Sequence, residues 1–200
     1  MQFKWRQFAA ALVFGCASAL AQSAVLVDTG TSSEPGGYSF SNSQYFAGEF
    51  TLAQSQVIDS IAGYFSTRSG SVTISLYQDG GAVPGVATSF SSTLATTAGD
   101  LAWNGVSGLN WSVGAGTYWV AFVPNFSVSG GEADASMPGF SPNPLSSYAY
   151  FDSNSSTWIA TSYAVGVRIE SAAAVPEPSA LLMYGVGIIG LGFMARRKLK

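Results

Sequence analysis

The sequence predicts an all-β body, an antiparallel β-sandwich of jelly-roll type, set between an N-terminal signal helix and a C-terminal transmembrane helix. Three observations predict it. The composition is 14% aromatic and only 10% charged, with 23 glycines, which suits short strands and turns better than long solvated helices. Residues 24–170 divide into short alternating stretches separated by Gly, Ser, Asn and Asp, as strands joined by turns require. Each end carries an apolar run bordered by basic residues. With the ends set aside, a chain of 200 residues leaves enough for one medium-sized core.

From the beginning, Lys4 and Arg6 precede an apolar stretch from Phe8 to about Leu20, followed by Ala19-Leu20-Ala21. Basic start, apolar middle and small-x-small ending together predict a secretory signal peptide over residues 1–21, cut after Ala21, with Ala19 and Ala21 as the recognised small residues. A buried N-terminal helix and a lipoprotein cut at Cys16 are the other readings; Phe14 is bulky where the second wants a small residue.

The body, residues 22–170, follows. Val72, Ile74 and Leu76 alternate with Thr73, Ser75 and Tyr77, and Tyr163, Val165, Val167 and Ile169 alternate with Gly166, Arg168 and Glu170. Period-two alternation puts one side of each strand in a core. Tyr118, Val120 and Phe122 form a third set whose other side, Trp119, Ala121 and Val123, is also apolar, so this strand is expected in the middle of a sheet. Further strands are expected at Val25–Asp28, Gln44–Leu52, 57–65, 86–94, 101–106, 109–113 and 148–151, divided by turn sequences such as Asp79-Gly80-Gly81 and Asp152-Ser153-Asn154. Residues 125–144, rich in Gly and Pro, read as an excursion or loop.

After a linker, residues 171–179, comes an uncharged run over residues 180–195 and a basic end over residues 196–200, holding Arg196, Arg197, Lys198 and Lys200. Pro176 and Pro178 interrupt regular structure and leave the backbone around Glu177 extended and reachable. As a helix, the run reaches roughly 24 Å against a hydrocarbon core of about 30 Å, and Ser179 with the snorkelling cations extends it. Cations stay cytoplasmic, so the body lies outside. Gly185-Val186-Gly187-Ile188-Ile189-Gly190 matches a dinucleotide fingerprint, but no strand precedes it and no acidic residue follows; close helix packing explains the glycines.

The order Pro176-Glu177-Pro178, apolar run, basic cluster resembles the PEP-CTERM sorting signal of Gram-negative bacteria. That resemblance implies recognition by an exosortase, a membrane-embedded cysteine-protease-like transpeptidase; the same tail is also catalogued as an ice-binding protein C-terminal domain. The run from Ser71 to Gly85, with Ala115-Gly116-Thr117-Tyr118-Trp119-Val120, resembles a choice-of-anchor domain, a surface module found with several anchoring tails.

Charge and chemistry narrow the function. Every acidic residue lies between Asp28 and Glu177, and only Arg68 and Arg168 interrupt the acidic body, which argues against a nucleic-acid partner. There is no histidine, and Cys16 is the one cysteine; Cys/His zinc sites, Ser-His-Asp triads and imidazole bases are excluded. No cofactor or metal is expected.

Trp103, Trp111, Trp119 and Trp158 offer a sugar-stacking face or, alternatively, core packing. Asp152, Asn154 and Ser156 resemble the start of a calcium loop, but Thr157 stands where the turn needs glycine and Tyr163 where it needs glutamate; Glu132 and Asp134 are a second oxygen pair or a solvated loop. A glycosidase needs two paired carboxylates, and Glu49, Asp59, Asp79, Asp100, Glu132 and Asp134 show no pairing by spacing. The expected function is a non-catalytic surface or extracellular-matrix protein, exported, held in the inner membrane by its tail, then clipped and released outward, with exopolysaccharide of a biofilm as a partner to be tested. The alternatives are a carbohydrate-binding or ice-binding module, although no regular Thr array favours ice, and a carboxylate-dependent glycan-active enzyme.

Overall fold

A computed structural model describes residues 23–30, 37–127, 135–137 and 144–173. The expected signal peptide with Ala19 and Ala21, the Pro176-Glu177-Pro178 motif, the apolar run and the basic end all lie outside the described residues, as do Glu132 and Asp134. Among the described residues no helix is long and apolar enough to cross a membrane.

Thirteen strands form the described fold. They are β1 (Val25–Asp28), β2 (Tyr38–Phe40), β3 (Gln44–Leu52), β4 (Gln56–Thr67), β5 (Gly70–Asp79), β6 (Pro84–Thr96), β7 (Gly99–Val106), β8 (Trp111–Val113), β9 (Gly116–Phe126), β10 (Ala135–Met137), β11 (Tyr148–Asp152), β12 (Thr157–Thr161) and β13 (Val167–Ser171). One sheet runs β1-β13-β4-β7, with β8 also on β4; a second runs β12-β11-β3-β9-β5-β6; β2 and β10 make a separate ribbon. Every pairing is antiparallel.

The two larger sheets face each other because each presents an apolar side. Phe46, Phe50, Val72, Ile74, Leu76, Val120 and Phe122 from the six-stranded sheet meet Ile58, Ile61, Phe65, Val113, Val167 and Ile169 from the other in one buried cluster. Rings carry the middle of this core: Phe65 and Phe122 lie 5.8 Å apart across the sandwich, and Phe40 of the ribbon sits 4.9 Å from Phe65. Gly63 belongs to this layer, since a Cβ there would come 2.8 Å from the Phe122 ring; the missing side chain is what lets the two phenylalanines approach.

The alternation signal located most strands, and the exceptions have local causes. The strand expected over 163–170 starts only at Val167. The Tyr163 ring instead stacks on Tyr38 at 4.0 Å, and the Gly166 carbonyl accepts a hydrogen bond from Tyr64. The preceding segment supplies β12, which folds back on β11 through a tight turn with Ser156 at φ 52°. Residues 125–144 are not all loop: Asn125 and Phe126 finish β9, and β10 pairs with β2.

Where the body starts and stops matters for what is attached to it. Ala24–Ala172 is one compact unit, and its first and last strands are neighbours. The Ser171 amide donates to the Ala24 carbonyl at 2.9 Å, and the Ala172 amide donates to Val57 at 2.7 Å. The chain therefore enters and leaves the sandwich side by side.

Candidate functional site

The outward side of the six-stranded sheet is built from three cross-strand rows. Register places Ala160 beside Ala149, Ala149 beside Ala47, Ala47 beside Ala121, Ala121 beside Ser75, and Ser75 beside Ser91. A row of small side chains across six strands leaves a trough. On one side of it Trp158, Phe151 and Tyr45 are consecutive partners; on the other, Glu49, Trp119 and Tyr77 are.

The rings fill the trough. Tyr45 and Phe151 stack 4.8 Å apart at 11°, and Trp158 meets them edge-on, at 5.5 Å and 87° to Tyr45 and 5.4 Å and 76° to Phe151. From the opposite row Tyr77 reaches Trp158, with centroids 5.8 Å apart. Beneath them Ala47, Ala121, Ala149 and Trp119 have no exposed surface, although they point away from the main core. Edge-on and offset ring pairs are the arrangements the aromatic quadrupole favours, so the small-residue row and the rings together make a second apolar cluster on an outer face.

Phenols and hydroxyls edge this apolar cluster, and the face is not strongly charged. Burial pushes the Tyr77 hydroxyl above the ordinary tyrosine value of 10.0. Burial, then the neighbouring Tyr77, does the same to Tyr45, so both phenols stay neutral hydrogen-bonding groups. Toward β6 the rings give way to paired hydroxyls, Thr73 with Thr93 at 3.0 Å and Ser75 with Ser91 at 3.0 Å. The two acids nearby are engaged: Glu49 Oε2 accepts from Ser146 at 2.6 Å, and Asp79 Oδ1 accepts from Trp119 Nε1 at 3.5 Å.

The four tryptophans thus part company. Trp119 and Trp158 share this cluster, Trp119 as its buried floor. Trp103 lies on the other sheet, edge-on to Tyr64 at 5.4 Å, with the Arg168 guanidinium 4.5 Å from its ring and Arg168 paired to Asp28 at 3.1 Å. Trp111, on β8, packs against the main core with Phe90 5.6 Å away. One common stacking face of all four does not form. The residues that join Trp158 are Tyr45, Tyr77 and Phe151, which the sequence reading did not select; only the strand register brings them together.

Among the acids, Asp59 and Asp100 lie on β4 and β7, away from Glu49 and Asp79 on the opposite sheet. The Asp152 carboxylate closes its own turn. The Asn154 amide and side chain both donate to Oδ1 at 3.0 Å and Ser155 donates to Oδ2 at 3.2 Å, and the backbone bond from Asn154 first of all holds its pKa below the ordinary carboxylate value. Among the described residues no group of three His, Cys, Asp or Glu side chains is placed to hold a metal ion.

Comparison with known proteins concerns the tail. Residues 174–198 match the PEP-CTERM protein-sorting motif, a span that contains Pro176, Glu177, Pro178 and the cations Arg196, Arg197 and Lys198. The match supports export, a membrane-anchored intermediate and sorting to the cell surface with processing by exosortase. No curated protein matches the chain.

Proposed function

We propose that this chain is a non-catalytic protein of the bacterial surface or extracellular matrix, whose β-sandwich is delivered outside by a removable signal peptide and a C-terminal sorting tail. The tail passes through the inner membrane with Arg196, Arg197, Lys198 and Lys200 on the cytoplasmic side. An exosortase-type transpeptidase then acts at Pro176-Glu177-Pro178. The observation that carries this reading is the match over residues 174–198, taken with a body whose last strand is already hydrogen-bonded by Ala172. Among the described residues, the core residues of the sandwich run from Val27 to Ile169, all ahead of the sorting motif. The choice-of-anchor resemblance of residues 40–125 belongs to the same reading. The test is mass spectrometry of the protein recovered from native envelope and medium: a terminus close to Pro178 is expected, and chains all ending at Lys200 would refute processing.

A second reading, for the body itself, is favoured by the outer face of the six-stranded sheet. Half-exposed Tyr45, Tyr77, Phe151 and Trp158 beside a strip of hydroxyls suit a neutral polysaccharide, because pyranose rings stack their C–H faces on aromatic rings while hydroxyls exchange hydrogen bonds. Charge agrees with a neutral ligand: of the two arginines in the body, Arg168 lies on the other sheet and Arg68 in the turn between β4 and β5. Titration calorimetry with neutral and acidic exopolysaccharide fragments tests it. Heat that disappears in Trp158→Ala but persists in Trp103→Ala is expected, and no heat with any fragment would end this reading.

A further inference from the structure

A sandwich of two open sheets has strand edges with unsatisfied amides and carbonyls, and soluble proteins blunt such edges with shortness, charge or bulges. Three of the edges here are blunted. The first, β1, has 4 residues and carries the Asp28–Arg168 pair. At the other end of that sheet β7 carries Asp100 and is cut off from β8 by residues 107–110, where Gly108 and Asn110 turn at φ 71° and 51°. The third, β12, has 5 residues.

The fourth edge, β6, is different. It runs for 13 residues, PGVATSFSSTLAT, without one charged side chain, and its only proline is its first residue. Among the described residues its outer side pairs with no strand. The half nearer Pro84 is bulged against β5, and there the Phe90 amide is taken up by Thr88 Oγ1 at 3.2 Å. The half from Ser91 to Thr96 is regular, in unbroken register with Ser75 to Gly70.

We propose that residues 91–96 of β6 are a self-pairing edge through which two copies of this chain join antiparallel, about a two-fold axis at Thr93, making their six-stranded sheets continuous. The argument for a second copy is complementarity. With 93 opposite 93, residue 91 faces 95 and 92 faces 94, so Ser91 meets Ala95 on the outer face and Ser92 meets Leu94 on the inner one. No charge opposes its own image, whereas the rest of the acidic body repels a copy of itself. Half-buried Leu94 is then covered by the second copy, an isologous contact of the kind a two-fold demands. The body begins and ends away from this edge: Ala24 and Ala172 adjoin β1 and β13, and β1 stands at the far end of its sheet from β7, the strand that β6 turns into.

The test uses the full chain in its own cell envelope. Thr93 is exposed, and the unsubstituted chain, whose one cysteine, Cys16, lies in the proposed signal peptide, serves as the blank. Thr93→Cys treated with a short bismaleimide is expected to give a species of twice the mass, which mass spectrometry identifies as two copies joined through residue 93. Adding Ser91→Lys and Ala95→Lys puts like charges opposite each other and is expected to remove that species while leaving the melting temperature unchanged, since both positions face solvent. A Thr93→Cys chain that reacts with a monofunctional maleimide but forms no cross-link overturns the proposal, as does a cross-link to another protein or one indifferent to the two lysines. Sedimentation of the unsubstituted full chain in detergent gives a second reading, in which a monomer at every concentration is equally fatal.

Discussion

Ala121→Leu is the substitution that most directly interrogates the outer aromatic cluster. In an ordinary strand a solvent-side alanine accepts leucine with little effect. Here Ala121 has no exposed surface, because Tyr77, Val83, Val123 and Trp158 pack against its cluster, and an isobutyl group must displace them. Overpacking of this kind costs about 1–3 kcal/mol. For a body of this size each kcal/mol lowers the melting temperature by about 2–4 °C, so a fall of about 2–12 °C is expected. The same row supplies its own control. Ser91 is exposed, and Ser91→Leu should stay within about 0.5 kcal/mol, or less than about 2 °C.

Melting of the two variants as full chains in detergent, followed by circular dichroism, separates the cases. Tryptophan fluorescence adds a second signal: lifting Trp158 and opening Trp119 to water shifts emission to the red in Ala121→Leu alone. Equal melting temperatures with unchanged emission in both variants would mean that the rings do not lie on the alanine row, and the candidate ligand face would go with them.

Three further outcomes follow from the same geometry. Tyr45, Tyr77 and Tyr148 hold their protons more tightly folded than unfolded, all through burial in the first place. Their contribution is therefore complete below the ordinary value of 10.0 and is lost as pH rises past it toward the raised folded values; urea midpoints should drop on that alkaline side, less steeply in Tyr77→Phe, and a flat profile would count against the burial. Arg168→Ala removes a half-exposed pair with Asp28, about 0.2–1 kcal/mol, and a stacking contact with Trp103 of about 0.5–1 kcal/mol; Arg168→Lys should recover part of the loss, and a fall beyond about 3 kcal/mol would point to a larger role. Deleting residues 173–175 places Pro176 directly after the hydrogen-bonded Ala172 and should slow processing, whereas a Gly-Ser insertion of equal length should not; equal mature termini in both would show that the spacer is not what gives the enzyme access.

The strands were legible wherever one residue's neighbours decided its fate. Gln44–Leu52 is legible to both ends as an aromatic-rich run that follows the turn residues Ser41-Asn42-Ser43, and the apolar two-sided run at Tyr118–Val123 lies in β9, held between β3 and β5. Thr157–Thr161 was missed because Trp158 and Ile159 follow a serine-rich turn and form too short a run to show a period. Tyr163 looked like strand but is held by a ring stack with Tyr38, a residue 125 positions earlier in the sequence that no local pattern reveals. The ribbon strands β2 and β10 have three residues each, below any useful period.

The tail and the outer face illustrate two kinds of information. Pro176, Glu177 and Pro178 are consecutive residues, so a motif records them completely. Ala47, Ala121, Ala149 and Ala160 are each unremarkable, and their meaning comes from three successive strand registers that align them. Slipping any one register by a residue would turn its alanine to the opposite face and break the trough. The constraint that fixes these registers is the main core, where Phe46 meets Phe122 and Tyr150 meets Phe46 across the same strands. The outer face is thus set by the inner one: a substitution in the buried layer that shifts β11 against β3 should dismantle the ring cluster without touching any of its members.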